Sequence, residues 1–259
     1  GEIINADSMQ VYKQLKILTA RPNKKQQNDI KHHLYGTIGL NEKFSTGQWL
    51  KEAIKKIKKI RKRKKIPILV GGTGLYFQSL INGLVEIPEI PLKFRNKIRL
   101  MQKKDGQKKF YKKLIKIDSR VKNKFDPNDV QRSIRAFEIK SFTKVSMYVW
   151  LEKTNSEFKD SDFLKLYIDF KREDLIKIIA LRTTAMIENG AVKEVKKFLK
   201  AKIKKNQSVS KVIGIDELTQ YLKNKINLTQ AEELITIKTR QYAKRQATWA
   251  RTRMMLWDK

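Results

Sequence analysis

The sequence predicts an α/β fold built on a parallel, doubly wound sheet. Two short apolar segments, Glu2–Asn5 and Ile66–Val70, have the length and composition of buried strands. Between them, Ser45 is a suitable N-cap for an amphipathic helix that runs to about Arg63, and Gly71–Gly74 turns the second strand into another helix. A strand, a helix, a strand, a glycine turn and a helix in this order are typical of parallel sheets.

Helices are predicted to dominate the rest of the chain. Asp126–Asp129 offers an N-cap, a proline at the first helical position and an acid two residues later. Leu164–Phe170 resembles a strand that returns to the sheet, and Arg172–Asn189 is predicted to be a helix that stops at Gly190. Thr229–Glu232 matches a capping box that opens a long final helix.

The composition narrows the class of protein. The chain carries 59 basic and 26 acidic residues, a net charge of +33, which favours a polyanionic partner such as nucleic acid. A lysine surplus shared by a whole proteome would give the same excess. The chain has no cysteine, which fits a reducing cytoplasm and excludes a disulfide framework. No apolar run approaches the roughly 18 residues of a membrane span, and no secretory leader is recognisable.

Two candidate site segments follow the predicted strands, where parallel sheets bind ligands. Asp7 comes just after the first strand, and its carboxylate suits a general base, a magnesium ligand or an N-cap. Gly71–Gly74 comes after the second strand and offers backbone amides to an anion such as pyrophosphate. The turn lacks the Lys-Ser/Thr of a Walker A motif, and a tight strand-to-helix turn explains the glycines equally well.

Arginines and aromatic residues supply further candidates. Arg182 interrupts an apolar helical stripe, so we expect it to point inward and to pair with a structural carboxylate or a bound phosphate. The final helix interleaves basic residues with Tyr242 and Trp249. This pattern suits RNA binding, but it would also arise if the basic residues formed a solvated face and the aromatic residues packed against the protein. His32 and His33 have no further ligands nearby in sequence, so no metal site is assigned to them.

Ordered motifs along nearly the whole chain resemble the tRNA dimethylallyltransferase (isopentenyltransferase, IPP transferase) family, in its bacterial form. The motifs that carry this resemblance are Asn5–Tyr12, Thr19–Pro22, His32–Leu34, Ile68–Tyr76, Asn128–Ala136, Ile213–Gly214 and Thr239–Gln246 with Trp249. The resemblance implies a P-loop nucleotide-kinase-like core, residues 1–88 and 158–259, with a mostly helical tRNA-binding insertion, residues 89–157. It also implies transfer of a dimethylallyl group from dimethylallyl diphosphate to the N6 amine of the adenosine 3′ to the anticodon.

The resemblance also assigns roles to residues. Asp7 would be the base, and Thr73 and Arg182 would flank the reaction channel. Contacts to the tRNA would come from Asp7, Ser8, Met9, Gln10, Thr73, Arg95, Gln131, Arg132, Ser133, Ile134 and Arg135. Mg²⁺ would neutralise the departing pyrophosphate, although no metal-binding residue is identifiable in this chain. A monomer in the cytoplasm is expected.

The sequence departs from the family in some places. The glycine-rich phosphate loop with which the family begins is not found in these 259 residues, so these residues alone are expected to be inactive or severely impaired. Arg21, Val130 and Ile215 stand where the family usually has Lys, Pro and Tyr. The alternatives are an isopentenyltransferase acting on free adenylate, a non-catalytic RNA-binding remnant and, less favoured, a nucleoside kinase.

Overall fold

The structure is a computed structural model that describes residues 1–42, 44–201, 203, 208–254 and 257. The chain forms two compact units. Unit 1 consists of Gly1–Leu80 together with Lys159–Lys259, and unit 2 consists of Ile81–Phe158.

A three-stranded parallel sheet lies in the described part of unit 1. The strands are β1 (Glu2–Asn5), β2 (His32–His33) and β3 (Pro67–Val70), in the order β2-β1-β3. β1 pairs with β2 on one side and with β3 on the other, so the two predicted strands are neighbours and parallel. The predicted fold class, an α/β fold on a parallel sheet, is therefore confirmed. β2 was not predicted from the sequence.

Seven α-helices begin in the described part of unit 1. They are α1 (Lys24–Gln27), α2 (Thr46–Lys62), α3 (Gly74–Asn82, which ends in unit 2), α7 (Arg172–Glu188), α8 (Ala191–Lys200), α9 (Ile215–Leu222) and α10 (Leu228–Arg253). Ser45 caps α2 as predicted, because its side chain accepts a hydrogen bond from the backbone of Gln48. Trp49 of α2 is fully buried and stacks on Tyr76 of α3, with ring centroids 4.2 Å apart.

The predicted return strand is wrong. Leu164–Phe170 contains a single bridge residue, Leu166, and forms no continuous strand, and its apolar side chains are exposed, with Leu164 at 82% and Ile168 at 78%. Alternating apolar residues specify only an extended backbone, and a strand also needs a hydrogen-bonded neighbour. β3 likewise leaves Ile68 and Val70 almost half exposed.

Unit 2 is helical where it is described. It contains α4 (Leu92–Ile117), α5 (Val130–Thr143) and α6 (Met147–Leu151). α4 is broken at Gly106, whose φ of 70° and ψ of 162° are not helical. α4 and α5 share an apolar core in which Phe110 and Phe137 contact each other.

Two predicted helix starts are shifted. α5 is capped by Asp129, which accepts a hydrogen bond from the backbone of Arg132, because Asp126–Asp129 forms a separate turn. α10 is capped two residues earlier than predicted, by a box between Asn227 and Gln230. Both Asn227–Gln230 and Thr229–Glu232 fit the capping pattern, and the earlier box lengthens the helix. None of the helices described is long and apolar enough to span a bilayer.

Candidate active site at the carboxyl end of the sheet

The end of β1 fixes the backbone of Asp7 through a buried asparagine. The side chain of Asn5 accepts a hydrogen bond from Asp7 N at 2.9 Å and donates to Asp7 O at 2.9 Å and Leu34 O at 3.1 Å. Trp49 Nε1 donates to Asn5 O at 2.7 Å. Asn5 and Trp49 are fully buried. Asp7 is therefore positioned by groups that have little freedom to move.

The carboxylate of Asp7 is only partly used by the protein. Oδ1 accepts hydrogen bonds from Met9 N at 2.7 Å and Gln10 N at 3.3 Å. Oδ2 makes no hydrogen bond within the described residues, and the side chain is partly exposed. The carboxylate caps a turn, since no helix begins before Lys24, so the helix N-cap interpretation of Asp7 is wrong.

The glycine turn after β3 packs directly on the segment that carries Asp7. Ala6 N donates to Val70 O at 2.8 Å, and Thr73 N donates to Ala6 O at 3.1 Å. Thr73 Oγ1 accepts from Ser8 N at 2.9 Å and donates to Ser8 Oγ at 3.2 Å. A side chain at Gly71 would place its Cβ 2.2 Å from the carbonyl carbon of Ala6, so only glycine permits this approach.

The C-terminal helix closes the other side of the turn. Gln246 Nε2 on α10 donates to Gly72 O at 2.9 Å. The ring of Trp249 lies against Gly74, where an added Cβ would come within 2.3 Å of it. Trp249 therefore packs against the protein, while Arg240, Lys244 and Arg251 are exposed. This arrangement agrees with the interpretation of the final helix as a packed aromatic face and a solvated basic face.

Charged and phenolic groups converge on Asp7. Desolvation lowers the pKa of Arg182, and the Asp7 carboxylate opposes that shift. Burial raises the pKa of Tyr35 to about 12 and also raises the pKa of Tyr242, and Asp7 adds to both shifts. Asp7 is thus the common electrostatic neighbour of one guanidinium and of three phenols, those of Tyr35, Tyr76 and Tyr242.

The side chain of Arg182 does not point into the core, contrary to the sequence-based expectation. Its surface is exposed, whereas Ile179 and Met186 on the same helix are buried. Among the described residues no carboxylate lies within ion-pair distance of Arg182, so its exposed surface is available to an anionic ligand.

The loop after Asp7 is anchored by polar side chains. Gln10 Nε2 donates to Thr19 O at 2.9 Å and Ala20 O at 3.2 Å. Glu194 of α8 accepts hydrogen bonds from the backbone N–H groups of Lys16, Ile17 and Leu18 at 2.7 to 3.2 Å. Met9 packs partly against the apolar core of unit 1. The side chains of Gln10 and Met9 therefore stabilise the loop that follows Asp7.

The candidate tRNA-binding residues of unit 2 divide by exposure. Gln131 and Arg132 are exposed at the start of α5, and Arg95 and Arg135 are partly exposed. Ser133 is fully buried and accepts a hydrogen bond from Gln107, and Ile134 lies in the apolar core. The buried side chain of Ser133 and the side chain of Ile134, which is 9% exposed, therefore offer little surface to a ligand.

One of the two adjacent histidines, His33, forms part of a hydrogen-bonded cluster around Glu2. His33 Nε2 donates to Glu2 Oε2 at 2.7 Å, and Arg63 donates to the same oxygen at 2.7 Å. These two hydrogen bonds lower the pKa of Glu2 to about 2. No group of three or more His, Cys, Asp or Glu side chains is arranged to hold a metal ion in the part of the chain that is described.

Sequence reasoning missed several residues that build the site. Asn5 and Gln246 were recognised only as members of motifs, and Tyr35 was not considered. Their positions depend on which strands and helices become neighbours. The location of Asn5 at the end of a buried strand was the one signal available, because a buried amide must be hydrogen-bonded.

The fold and the candidate site together define a class of protein, an α/β enzyme with polar groups gathered at the carboxyl ends of parallel strands, where such folds bind ligands. The IPP transferase family model matches residues 10–253. A tRNA dimethylallyltransferase of Pelagibacter ubique is 76% identical over 259 residues, which are 100% of this chain and 83% of that protein. The chain belongs to the IPP transferase family.

Solved structures agree with this assignment. A tRNA isopentenylpyrophosphate transferase from Staphylococcus epidermidis is 32% identical, with a TM-score of 0.64 over 96% of this chain and 81% of that one. A eukaryotic dimethylallyltransferase, described as acting on tRNA, is 32% identical with a TM-score of 0.82 over 96% of this chain and 63% of that one. The family resemblance found in the sequence motifs is confirmed, and so is the prenyltransferase class of enzyme.

Proposed function

We propose that this protein transfers a dimethylallyl group from dimethylallyl diphosphate to the N6 amine of the adenosine 3′ to the anticodon of a tRNA. The observation that carries the proposal is the carboxylate of Asp7, rigidly held at the carboxyl end of β1 with Oδ2 open to a substrate. The names of the relatives support both the donor group and the tRNA acceptor.

Asp7 is the proposed general base. The bond between the allylic carbon and the diphosphate oxygen breaks, its electron pair leaves with the diphosphate, and the adenine nitrogen bonds to that carbon. Oδ2 of Asp7 takes the proton that the amine loses. A carboxylate at hydrogen-bond distance is suited to this step, and fixing it in advance avoids an entropic cost at the transition state.

Arg182 and Thr73 are proposed to act on the diphosphate. The exposed guanidinium of Arg182 can donate to phosphate oxygens and stabilise the charge that grows as the allylic bond breaks. Thr73 immediately precedes the helix that follows β3, with Ser8 at hydrogen-bond distance. Backbone amides at such a helix start favour anions.

Mg²⁺ is the metal that we propose for the diphosphate. The described residues supply no cluster of acidic or histidine ligands for it, and the open oxygen of Asp7 is assigned to the proton of the amine. Mg²⁺ commonly keeps waters and binds through substrate phosphates, so we propose that the metal is held mainly by the diphosphate. When bound, the metal would supply charge neutralisation for the leaving group.

Unit 2 is the proposed binding surface for the anticodon stem-loop. Gln131, Arg132, Arg95 and Arg135 lie at least partly exposed on its helices and can pair with backbone phosphates. The predicted insertion, residues 89–157, is proposed to carry this role. The predicted monomeric state and cytoplasmic location remain predictions.

A transfer assay with competing acceptors tests the proposal. The full-length protein would be given labelled dimethylallyl diphosphate with an anticodon stem-loop RNA, a matched RNA with guanosine in place of the target adenosine, or free AMP. We expect label only in the RNA that contains the adenosine. Preferential labelling of AMP would contradict the tRNA proposal, and absence of transfer to any acceptor would contradict the enzymatic one.

A further inference from the structure

Unit 2 contains a buried carboxylate surrounded by arginines. Glu138 on α5 is 1% exposed. Its oxygens lie 3.3 Å from Arg95 Nε, 3.6 Å from Arg99 Nε and 3.7 Å from Arg135 Nη1. Arg95 and Arg99 are one turn apart on α4, and Arg135 is one turn before Glu138 on α5. The two helices therefore bring three guanidinium groups to one acid.

The charges of this cluster do not balance. Three guanidinium groups share a single carboxylate, and Glu138 is the only acid of the described residues with which these arginines form ion pairs. Two positive charges are left over. One arginine would be enough to neutralise Glu138, so the other two need a further explanation.

The arginines are also accessible. Their side chains are 37%, 42% and 44% exposed for Arg95, Arg99 and Arg135. Nε of Arg95 and Oε1 of Glu138 make no hydrogen bond within the described residues. Arg95 and Arg99 approach Glu138 through Nε, and Arg135 approaches it through one terminal nitrogen, Nη1. Both terminal nitrogens of Arg95 and Arg99 and one of Arg135 therefore make no ion pair with Glu138 and can donate to an outside acceptor.

We propose that Glu138 holds Arg95, Arg99 and Arg135 as a preformed site for a backbone phosphate of the RNA substrate. The proposal rests on the proposed function for the identity of the RNA. It adds Arg99 as a binding residue and Glu138 as a positioning residue. Forked guanidinium groups match phosphate oxygens, and the shared carboxylate restrains flexible side chains before the RNA arrives.

The direction in which one substitution changes the affinity for RNA shows whether Glu138 positions the arginines or only adds a negative charge. Glu138→Gln removes a negative charge from the cluster with little change in volume. If Glu138 merely reduced the positive potential, the variant would bind RNA more tightly. If Glu138 positions the arginines, the variant binds more weakly despite its extra positive charge, because three like charges lose the anchor that holds them together.

Binding of an unmodified anticodon stem-loop RNA to the full-length protein, followed by fluorescence anisotropy over a range of KCl concentrations, tests the site. We expect Arg99→Ala and Glu138→Gln each to weaken binding about tenfold, and Arg99→Ala to reduce the salt slope by about 1. Arg120→Ala is the matched control, because Arg120 is 58% exposed in the same unit and pairs only with the exposed Glu152 among the described residues. It should change the affinity less than about twofold.

Two outcomes would overturn the proposal: an Arg99→Ala variant with unchanged affinity and salt slope, or a folded Glu138→Gln variant that binds more tightly. Circular dichroism checks folding. If Glu138→Gln does not fold, Arg95→Ala and Arg99→Ala decide the matter alone. A transfer assay separates the two proposals. If the wild-type protein prenylates RNA and the variants bind RNA normally, only the phosphate site is refuted. Wild-type protein that binds through the arginines without prenylating refutes only the transfer function.

Discussion

Asp7 and Glu138 are two acidic side chains that the protein positions with different kinds of groups. Asp7 is fixed by backbone and amide groups at 2.7 to 3.3 Å, and one of its oxygens remains open. Glu138 is buried among long arginine side chains at 3.3 to 3.7 Å, and the arginines face solvent. Short hydrogen bonds from rigid groups suit a reacting atom, whereas flexible cations suit a charged and extended ligand. The first region should therefore control turnover, and the second should control affinity.

The largest expected effect comes from Asp7→Asn. The amide keeps the size of the side chain but cannot accept the amine proton, so turnover should fall about 10²- to 10⁴-fold. The dissociation constant for tRNA should change little. Single-turnover transfer and anisotropy on the same preparation measure both quantities. An equal loss of binding and turnover would show that Asp7 is a binding residue and not the base.

Asn5→Ala should have a smaller effect through the position of Asp7. The substitution removes the buried amide that hydrogen-bonds Asp7 N and O, so turnover should fall about 10- to 100-fold. The same loss should lower the free energy of unfolding by about 2 kcal/mol. Asn82→Ala, at an exposed residue, is the control. If the variant loses stability but keeps normal turnover, Asn5 does not position Asp7 for catalysis.

Arg135→Ala tests the second region. Removing one phosphate-binding cation should weaken tRNA binding about tenfold and reduce the slope of log affinity against log salt by about 1. The single-turnover rate at saturating tRNA should stay close to wild type. Titrations at several KCl concentrations provide the measurement. An unchanged slope would mean that Arg135 does not meet the RNA.

The smallest effect concerns stability in acid, away from both regions. His33 and Arg63 lower the pKa of Glu2 from its ordinary value of 4.5 to about 2. Above about pH 4.5 Glu2 is ionised in the folded and unfolded states, and its contribution to stability is complete. As the pH falls from 4.5 towards 2, the unfolded state takes up the proton first, so that contribution is lost.

Glu2→Gln should remove this dependence. Urea denaturation at pH 7, 4 and 2.5 should show a wild-type advantage that is largest at pH 7 and shrinks with acidification. A difference between the two proteins that stays constant over this range would contradict the assigned role of Glu2.

The parts of the fold that were predictable depend on local sequence. β1, α2 and α7 were predicted to within about two residues, because apolar periodicity and caps such as Ser45 act over a few residues. The prediction of a strand at Leu164–Phe170 was wrong, because an alternating sequence pattern cannot reveal whether a neighbouring strand exists. The shifted start of α10 shows that overlapping capping patterns are not resolved by sequence alone.

The candidate site was predictable through its motifs but not through its geometry. Asp7 and Gly71–Gly74 follow adjacent strands, so their proximity was expected from parallel topology. The outward position of Arg182 was missed, because one polar residue in an apolar stripe does not determine which way the side chain leaves the helix. The cluster around Glu138 was missed because it joins two helices, although Arg95 and Arg99 have the spacing of one helical face.

The most direct test of the central claim compares Asp7→Asn with Arg135→Ala in one experiment. The single-turnover transfer rate at saturating tRNA and the dissociation constant for the same tRNA would be measured for both full-length variants. We predict a crossed pattern, in which Asp7→Asn loses rate and keeps affinity while Arg135→Ala loses affinity and keeps rate. Loss of both quantities in both variants, or the reverse pattern, would contradict the division of catalysis and binding between the two regions.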